Sequence, residues 1–264
     1  MDTKDKLNIV LWSGGKDSTA TIILCHLLGV RIDLIITSLV WFDKKRGMYG
    51  DHPKKIEWML NYAKPIFEAW GFPVKTVSSD KDYIYQFYKV VKKSKNPELV
   101  GKHYGFLIGG FCKMQDQKVS PVKRYLRDNF TKKKVEYTEI CGICADEEER
   151  LSRMIARGQR SVLAEQGYTQ ADAYHLCKEH ELLAPGYVDG GRMRDGCWFC
   201  PNQKVKELAQ LKVNYPELWL ELKKMSEVKN TVARGFQYGV PFDEVEAKVN
   251  AYIANPPPEQ LSLF

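Results

Sequence analysis

An apolar run, a glycine turn and a helical run follow one another within the first 28 residues. This succession constrains the fold more than any other stretch. Residues 7–12 (LNIVLW) read as a buried strand, residues 13–19 (SGGKDST) as a tight loop, and residues 18–28 (STATIILCHLL) as a helix stopped by Gly29. The alternation continues. Residues 34–40 and 74–78 read as strands, and residues 53–70 as an amphipathic helix between Pro53 and Gly71. Residues 82–93 and 117–130 read as helices, and residues 135–143 (VEYTEICGI) as another strand. Strands alternating with helices predict an α/β fold with a doubly wound parallel sheet covered on both faces. From Thr169 the pattern is helical: residues 170–180, 204–224 with a break near Pro216, and 243–254. The expected division is 1–157 for the sheet domain, 158–254 for a smaller helical C-terminal part, and 255–264 for a flexible tail.

The chain has 264 residues, 44% hydrophobic and 28% charged. That composition excludes a disordered chain, a collagen and a disulfide-dense mini-protein. No apolar run reaches the ~18 residues of a membrane span, so no membrane partner is expected. A charged N-terminus running straight into a strand carries no secretory signal. Seven cysteines, an odd number, then predict free thiols in a reducing, cytoplasmic setting. The net charge of +7 suits a nucleotide or nucleic acid.

The loop is built for an anion. Gly14 and Gly15 let backbone N–H groups approach a phosphate, and the helix that follows adds its positive end. Lys16 supplies a point charge, Ser13, Ser18 and Thr19 supply hydroxyls, and Asp17 suits Mg²⁺ or loop orientation. The spacing is not that of a Walker A loop. SGGKDST resembles the pyrophosphate loop (PP-loop) of the ATP pyrophosphatase superfamily. That resemblance implies an adenine nucleotide alpha hydrolase-like fold, ATP as ligand, and cleavage between the α and β phosphates.

Two further segments are similar to the phosphoadenosine phosphosulfate (PAPS) reductase family, a branch of that superfamily. Residues 142–150 (GICADEEER) resemble its GIRxDE…R segment, and residues 112–121 (CKMQDQKVSP) its C…K…P segment. The likeness spans residues 7–201. It implies that Asp146 and Glu147 bind Mg²⁺ or substrate and that Arg150 meets phosphate or sulfate. An acidic first helical turn is the plainer reading of residues 146–149. Catalytic roles are expected for Lys16, Asp17, Asp146 and Arg150.

Cys197 and Cys200 form a CxxC in GCWFCP, and Cys141 and Cys144 form a second. Four thiolates suit tetrahedral Zn²⁺ or a [4Fe–4S] cluster. In a strand Cys141 and Cys144 point to opposite faces, and Cys144 lies past the strand end. Cys112 takes a cleft position in the family's pattern. The expected metal set is therefore Cys112, Cys144, Cys197 and Cys200, with Cys25, Cys141 and Cys177 in the core. GCWFCP resembles the signature of iron–sulfur sulfur-transfer members, so a [4Fe–4S] cluster is expected, with Zn²⁺ as the alternative. A PAPS reductase needs a nucleophilic cysteine near its C-terminus, and no cysteine follows Cys200.

Asn255 and three prolines lead to Gln260, Leu261, Ser262, Leu263 and Phe264. QLSLF is similar to the pentapeptide by which bacterial proteins bind the DNA sliding clamp; a tail packed on its own domain is the alternative. Basic runs at Lys132, Lys133 and Lys134 with Arg124 and Arg127, and at Lys92, Lys93 and Lys95, suit phosphates or plain solvation. The resulting expectation is an adenylating sulfurtransferase acting on DNA or tRNA. The alternatives are a true PAPS or adenylylsulfate reductase, a non-catalytic nucleotide-binding module, and a non-thiolating adenylating enzyme with structural zinc.

Overall fold

Adjacent residues of the first strand, Ile9 and Val10, are both fully buried. Successive strand side chains point to opposite faces, so this strand is covered on both sides. A computed structural model describes residues 6–106, 114–188, 196–233, 235–237 and 239–256. Cys112 and the 260–264 segment lie outside them. The strands are β1 (Leu7–Leu11), β2 (Leu34–Ser38), β3 (Trp41–Asp43), β4 (Met48–Tyr49), β5 (Val74–Val77) and β6 (Tyr137–Cys141). The helices are α1 (Lys16–Leu27), α2 (Pro53–Glu57), α3 (Lys64–Ala69), α4 (Tyr83–Tyr88), α5 (Met114–Asn129), α6 (Glu148–Ile155) and α7 (Val162–Glu165). They continue with α8 (Gln170–Glu179), α9 (Pro185–Val188), α10 (Val205–Asn214), α11 (Pro216–Ser226) and α12 (Phe242–Ala254).

The chain is an α/β protein with a four-stranded parallel sheet in the order β5-β2-β1-β6. Val122, Tyr125 and Leu126 of α5 pack against Ile9 and Ile36 on one face. No described helix is long and apolar enough to cross a membrane.

Two units divide the chain, and they interleave. The first takes residues 1–39, 52–79 and 118–195; the second takes 40–51, 80–117 and 196–264. This is not a single cut near Gly158. The 158–188 stretch belongs to the sheet unit because Arg160 bridges Ile140 of β6 and α8 packs along α1. Two elements differ from expectation for local reasons. The 53–70 helix is continuous but holds a π-helical turn at Trp58–Ala63. Pro65, which has no N–H for the helical ladder, follows two residues after it. The 82–93 helix stops at Tyr88, because the β-branched pair Val90 and Val91 leaves it for an extended pairing. There Val91 N–H donates to the Lys102 carbonyl at 2.9 Å.

The second unit has its own aromatic core. Tyr83 stacks on Phe199 at 3.9 Å, Phe42 meets Trp198 at 4.4 Å, and Trp198 Nε1 donates to the Tyr49 carbonyl at 2.9 Å. The short β3–β4 hairpin delivers Phe42 and Met48 to this core.

A polar node ties three helices of this unit together. Lys212 of α10, and Trp219 and Lys223 of α11, donate to Glu246 of α12 at 2.7, 3.0 and 3.0 Å. Lys212 foremost, with Trp219 and Lys223, holds the Glu246 carboxyl down at about 2, against the opposing effect of burial. A depressed carboxyl stabilises the fold fully above its ordinary value of 4.5, and that contribution is lost as pH falls toward about 2. Acid titration followed by circular dichroism should therefore show Glu246→Gln losing less stability over that window than the parent. Parallel acid profiles would remove the node from the account.

Candidate nucleotide site

Strand order sets the site. From β1 the chain passes to β2 and on to β5 on one side, then returns to β6 on the other side of β1. β1 and β6 are neighbours where the strand order reverses, and at such a point open parallel sheets take ligands beyond the C-terminal ends of their strands. The glycine loop leaves β1 there, and residues 142–147 leave β6.

The loop is locked from within. Gly14 has φ +73, the left-handed region that glycine enters without strain, and a Cβ there would lie 2.5 Å from Met59 Sδ. Ser13 N–H donates to Ser18 Oγ at 3.1 Å, Ser18 Oγ donates to the Gly15 carbonyl at 3.0 Å, and Gly15 N–H donates to Ser13 Oγ at 3.3 Å. The helix begins at Lys16, so Lys16 and Asp17 form its first turn rather than part of the loop. Its N-cap, Gly15, contributes no side-chain cap, which leaves the first-turn amides and the positive helix end to a ligand.

From β6, Gly142 fits directly against this turn. A Cβ there would lie 2.5 Å from Ser18 N and 2.6 Å from Asp17 C. The close approach brings the β6 exit to Asp17. One ligand atom each from Asp17, Cys144 and Glu147 lies within 4.8 Å of the other two. Cys144 Sγ donates to Asp17 Oδ1 at 3.5 Å, and Cys144 N–H donates to Glu147 Oε2 at 3.2 Å. Burial first, then the Asp17 carboxylate, pushes the Cys144 thiol far above its ordinary range, so it is neutral at pH 7. Two carboxylates fit Mg²⁺, which takes oxygen ligands; the thiol is a soft donor beside them.

Each remaining candidate has a defined partner. Lys16 Nζ pairs with Asp17 and donates to the Gln170 carbonyl at 3.2 Å. Arg150 pairs with Glu147 one turn away on α6. Asp146 Oδ1 accepts from Gln170 N–H at 3.1 Å, so it steadies the start of α8. Thr19 departs from expectation: it is buried, and its hydroxyl accepts from Trp12 Nε1 at 3.0 Å. It lies on the inward side of α1 and ties the helix to β1. Cys25 and Cys177 are fully buried, and burial pushes each thiol up to about 12. Cys141 sits half-buried in β6, its thiol raised to about 11 by burial. In the second unit, Cys200 N–H donates to the Cys197 carbonyl at 3.1 Å, so this CxxC forms a turn. The described cysteines form no disulfide with one another.

Lys55 and Tyr187 were not singled out from sequence. Lys55 of α2 is only 4% exposed, and its Cε would lie 3.0 Å from a Cβ on Gly14. Tyr187 of α9 brings its hydroxyl within 3.6 Å of a Cβ on Gly15. Nothing in the local pattern separates Lys55 from a solvated lysine such as Lys54.

The α8 start is held by a capping box: Thr169 Oγ1 accepts from Asp172 N–H at 3.3 Å, and Asp172 Oδ2 accepts from Thr169 N–H at 2.8 Å. Thr169→Ala should cost about 1 kcal/mol by thermal unfolding. It should also weaken nucleotide binding, because Lys16 leans on the adjoining Gln170 carbonyl. A variant with unchanged melting and nucleotide affinity would deny α8 that part. Compared with known proteins, the chain matches no family model and no curated protein.

Proposed function

We propose that this chain is an ATP pyrophosphatase-type adenylating enzyme of the PAPS reductase-like branch, transferring sulfur to a nucleic acid. One observation carries the reading. At the switch point of a parallel sheet, an uncapped glycine-loop helix start meets the Asp17–Cys144–Glu147 group. Phosphates at such a helix start gain backbone donors and the positive helix end. Lys16 and the buried Lys55 add charge, and Asp17 and Glu147 suit the Mg²⁺ that accompanies ATP.

In this reading a substrate oxygen attacks the α phosphorus. The bond from that phosphorus to the αβ bridging oxygen breaks, and pyrophosphate leaves. Lys16 stabilises the charge that builds on the departing oxygens. The adenylated substrate then loses AMP to a sulfur nucleophile. Cys197 and Cys200 would give two thiolates to a [4Fe–4S] cluster, which when bound would anchor or supply sulfur at the sulfide level. The clamp pentapeptide at residues 260–264 would direct the enzyme to DNA.

A second reading rests on Cys144 itself. Its neutral thiol is engaged with Asp17, which favours a non-thiolating adenylating enzyme in which Cys144 belongs to the nucleotide site. Anaerobic purification with iron, sulfide and zinc analysis, followed by pyrophosphate release with DNA or tRNA, separates them. Iron and sulfide with nucleic-acid-dependent release support sulfur transfer. A colourless protein that still releases pyrophosphate selects the second reading. No release with any nucleic acid removes both.

A further inference from the structure

The early end of α4 exposes a surface that the nucleotide site does not use. On this helix Tyr83 and Phe87 are buried in the second unit's core. Tyr85 and Tyr88, one turn apart on the opposite side, are 45% and 43% exposed. The chain then turns back as an extended pair. Tyr104 N–H donates to the Lys89 carbonyl at 3.0 Å, and Val90 bridges His103. The pairing sets Lys89 Nζ over the Tyr104 ring at 5.6 Å and the His103 ring against Tyr88 at 5.6 Å. At the other end of α4, Lys81 Nζ lies over the Tyr85 ring at 4.8 Å. Aromatic rings and ammonium groups are therefore interleaved along one stretch of the unit.

Its charge is one-sided. Lys89, Lys92, Lys93, Lys95 and Lys102 form no ion pair among the described residues. The acids of the same stretch are Asp80, Asp82 and Glu98. Asp82 is already engaged, accepting from Tyr85 N–H at 2.8 Å and Lys44 N–H at 3.0 Å. Exposed tyrosines offer π faces to bases, and unpaired lysines offer charge to phosphates. A duplex hides its base faces, so this pairing of chemistries suits an unpaired strand.

We infer that the outer side of α4 and the 89–104 pairing bind single-stranded nucleic acid, with Tyr85 and Tyr88 stacking on bases and Lys89, Lys92, Lys93 and Lys95 meeting phosphates. This deepens the nucleic-acid part of the reading above, yet its test does not need the ATP chemistry.

The test is fluorescence anisotropy of the full chain with labelled single-stranded DNA, single-stranded RNA of the same sequence, and the corresponding duplex, across a salt series. Vesicles containing phosphatidylserine form a separate arm. A single strand should bind more tightly than duplex, and the preferred strand identifies DNA or RNA as the source. Tyr85→Ala with Tyr88→Ala should lower affinity about 30-fold or more, whereas the Tyr→Phe pair should keep it. Lys92→Ala, Lys93→Ala and Lys95→Ala together should reduce the salt slope by about 2. ATP binding should be unchanged in all of them. Equal affinity for duplex, alanine variants that bind like the parent, or binding to vesicles without oligonucleotide would each overturn the surface. They would leave the ATP reading standing. Intact strand binding in a chain without ATP affinity would instead remove the enzyme reading and keep the surface.

Discussion

Replacing Lys16 with alanine is expected to slow pyrophosphate release from ATP by about 10²–10³-fold. Its ammonium group sits at the first turn of α1, where the uncapped helix start faces the crevice between β1 and β6. Charge develops on the leaving pyrophosphate oxygens during the reaction, and a fixed cation there stabilises the transition state more than the ground state. Removal also strips Asp17 of its ion-pair partner. Asp17 would then lie beside Glu147 without that compensating charge, which should weaken ATP binding as well. The fold itself should suffer little, because neither partner is fully buried and partly exposed pairs add at most about 1 kcal/mol. A melting temperature lower by only about 2–4 °C is expected. Initial rates of pyrophosphate release beside a thermal scan check both halves. A variant that turns over like the parent would take Lys16 out of the chemistry.

Gly142→Ala should produce the largest structural effect. The new methyl carbon would sit 2.5 Å from Ser18 N, 2.6 Å from Asp17 C and 2.6 Å from Ser18 Cα. All three are backbone atoms in the first turn of α1, so no side-chain rotation relieves the contact. Either β6 or the helix start must move. Overpacking of this kind costs about 1–3 kcal/mol, and rigid backbone on the receiving side puts the expected loss near 3. That corresponds to a melting temperature lower by roughly 6–12 °C. The displaced first turn is also the one proposed to face the phosphates, so ATP affinity should fall in the same variant. A temperature scan with and without ATP reads both effects. Unchanged melting would mean that β6 and α1 do not approach as closely as described.

The sheet was legible because its strands carry a two-sided apolar pattern. LNIVL and LIITS contain too few polar positions for a face in water, and both proved to be inner strands of a parallel sheet. Thr169 as a cap and the break at Pro216 were equally readable, since each acts within a few residues of itself. Long-range pairing was not. Val90 and Val91 fit a helical spacing until Lys102 and Tyr104 return to pair with that stretch, a contact no local window contains. The division into units failed to appear for the same reason: residues 40–51 and 80–117 join 196–264 through an aromatic core drawn from all three segments.

At the site, the glycine loop, Lys16 and Asp17 were visible from composition and position. Cys144 was expected past the strand end, and it lies there. Its bond to Asp17 was not foreseen, because it depends on the contact of Gly142 with α1. The roles of Asp146 and Thr19 looked like ligand chemistry in the sequence because carboxylates and hydroxyls serve both ligands and helix starts. The structure engages one with Gln170 and the other with Trp12. Lys55 escaped notice because burial of a lysine is a tertiary property.

The account stands on where ATP is cut. The direct measurement is ³¹P NMR of the products when the anaerobically purified chain is incubated with ATP, Mg²⁺ and nucleic acid. Signals of pyrophosphate together with adenylated nucleic acid, or with AMP once a sulfide source is added, absent with Lys16→Ala, are the predicted result. ADP with inorganic phosphate, or ATP left intact, would contradict it.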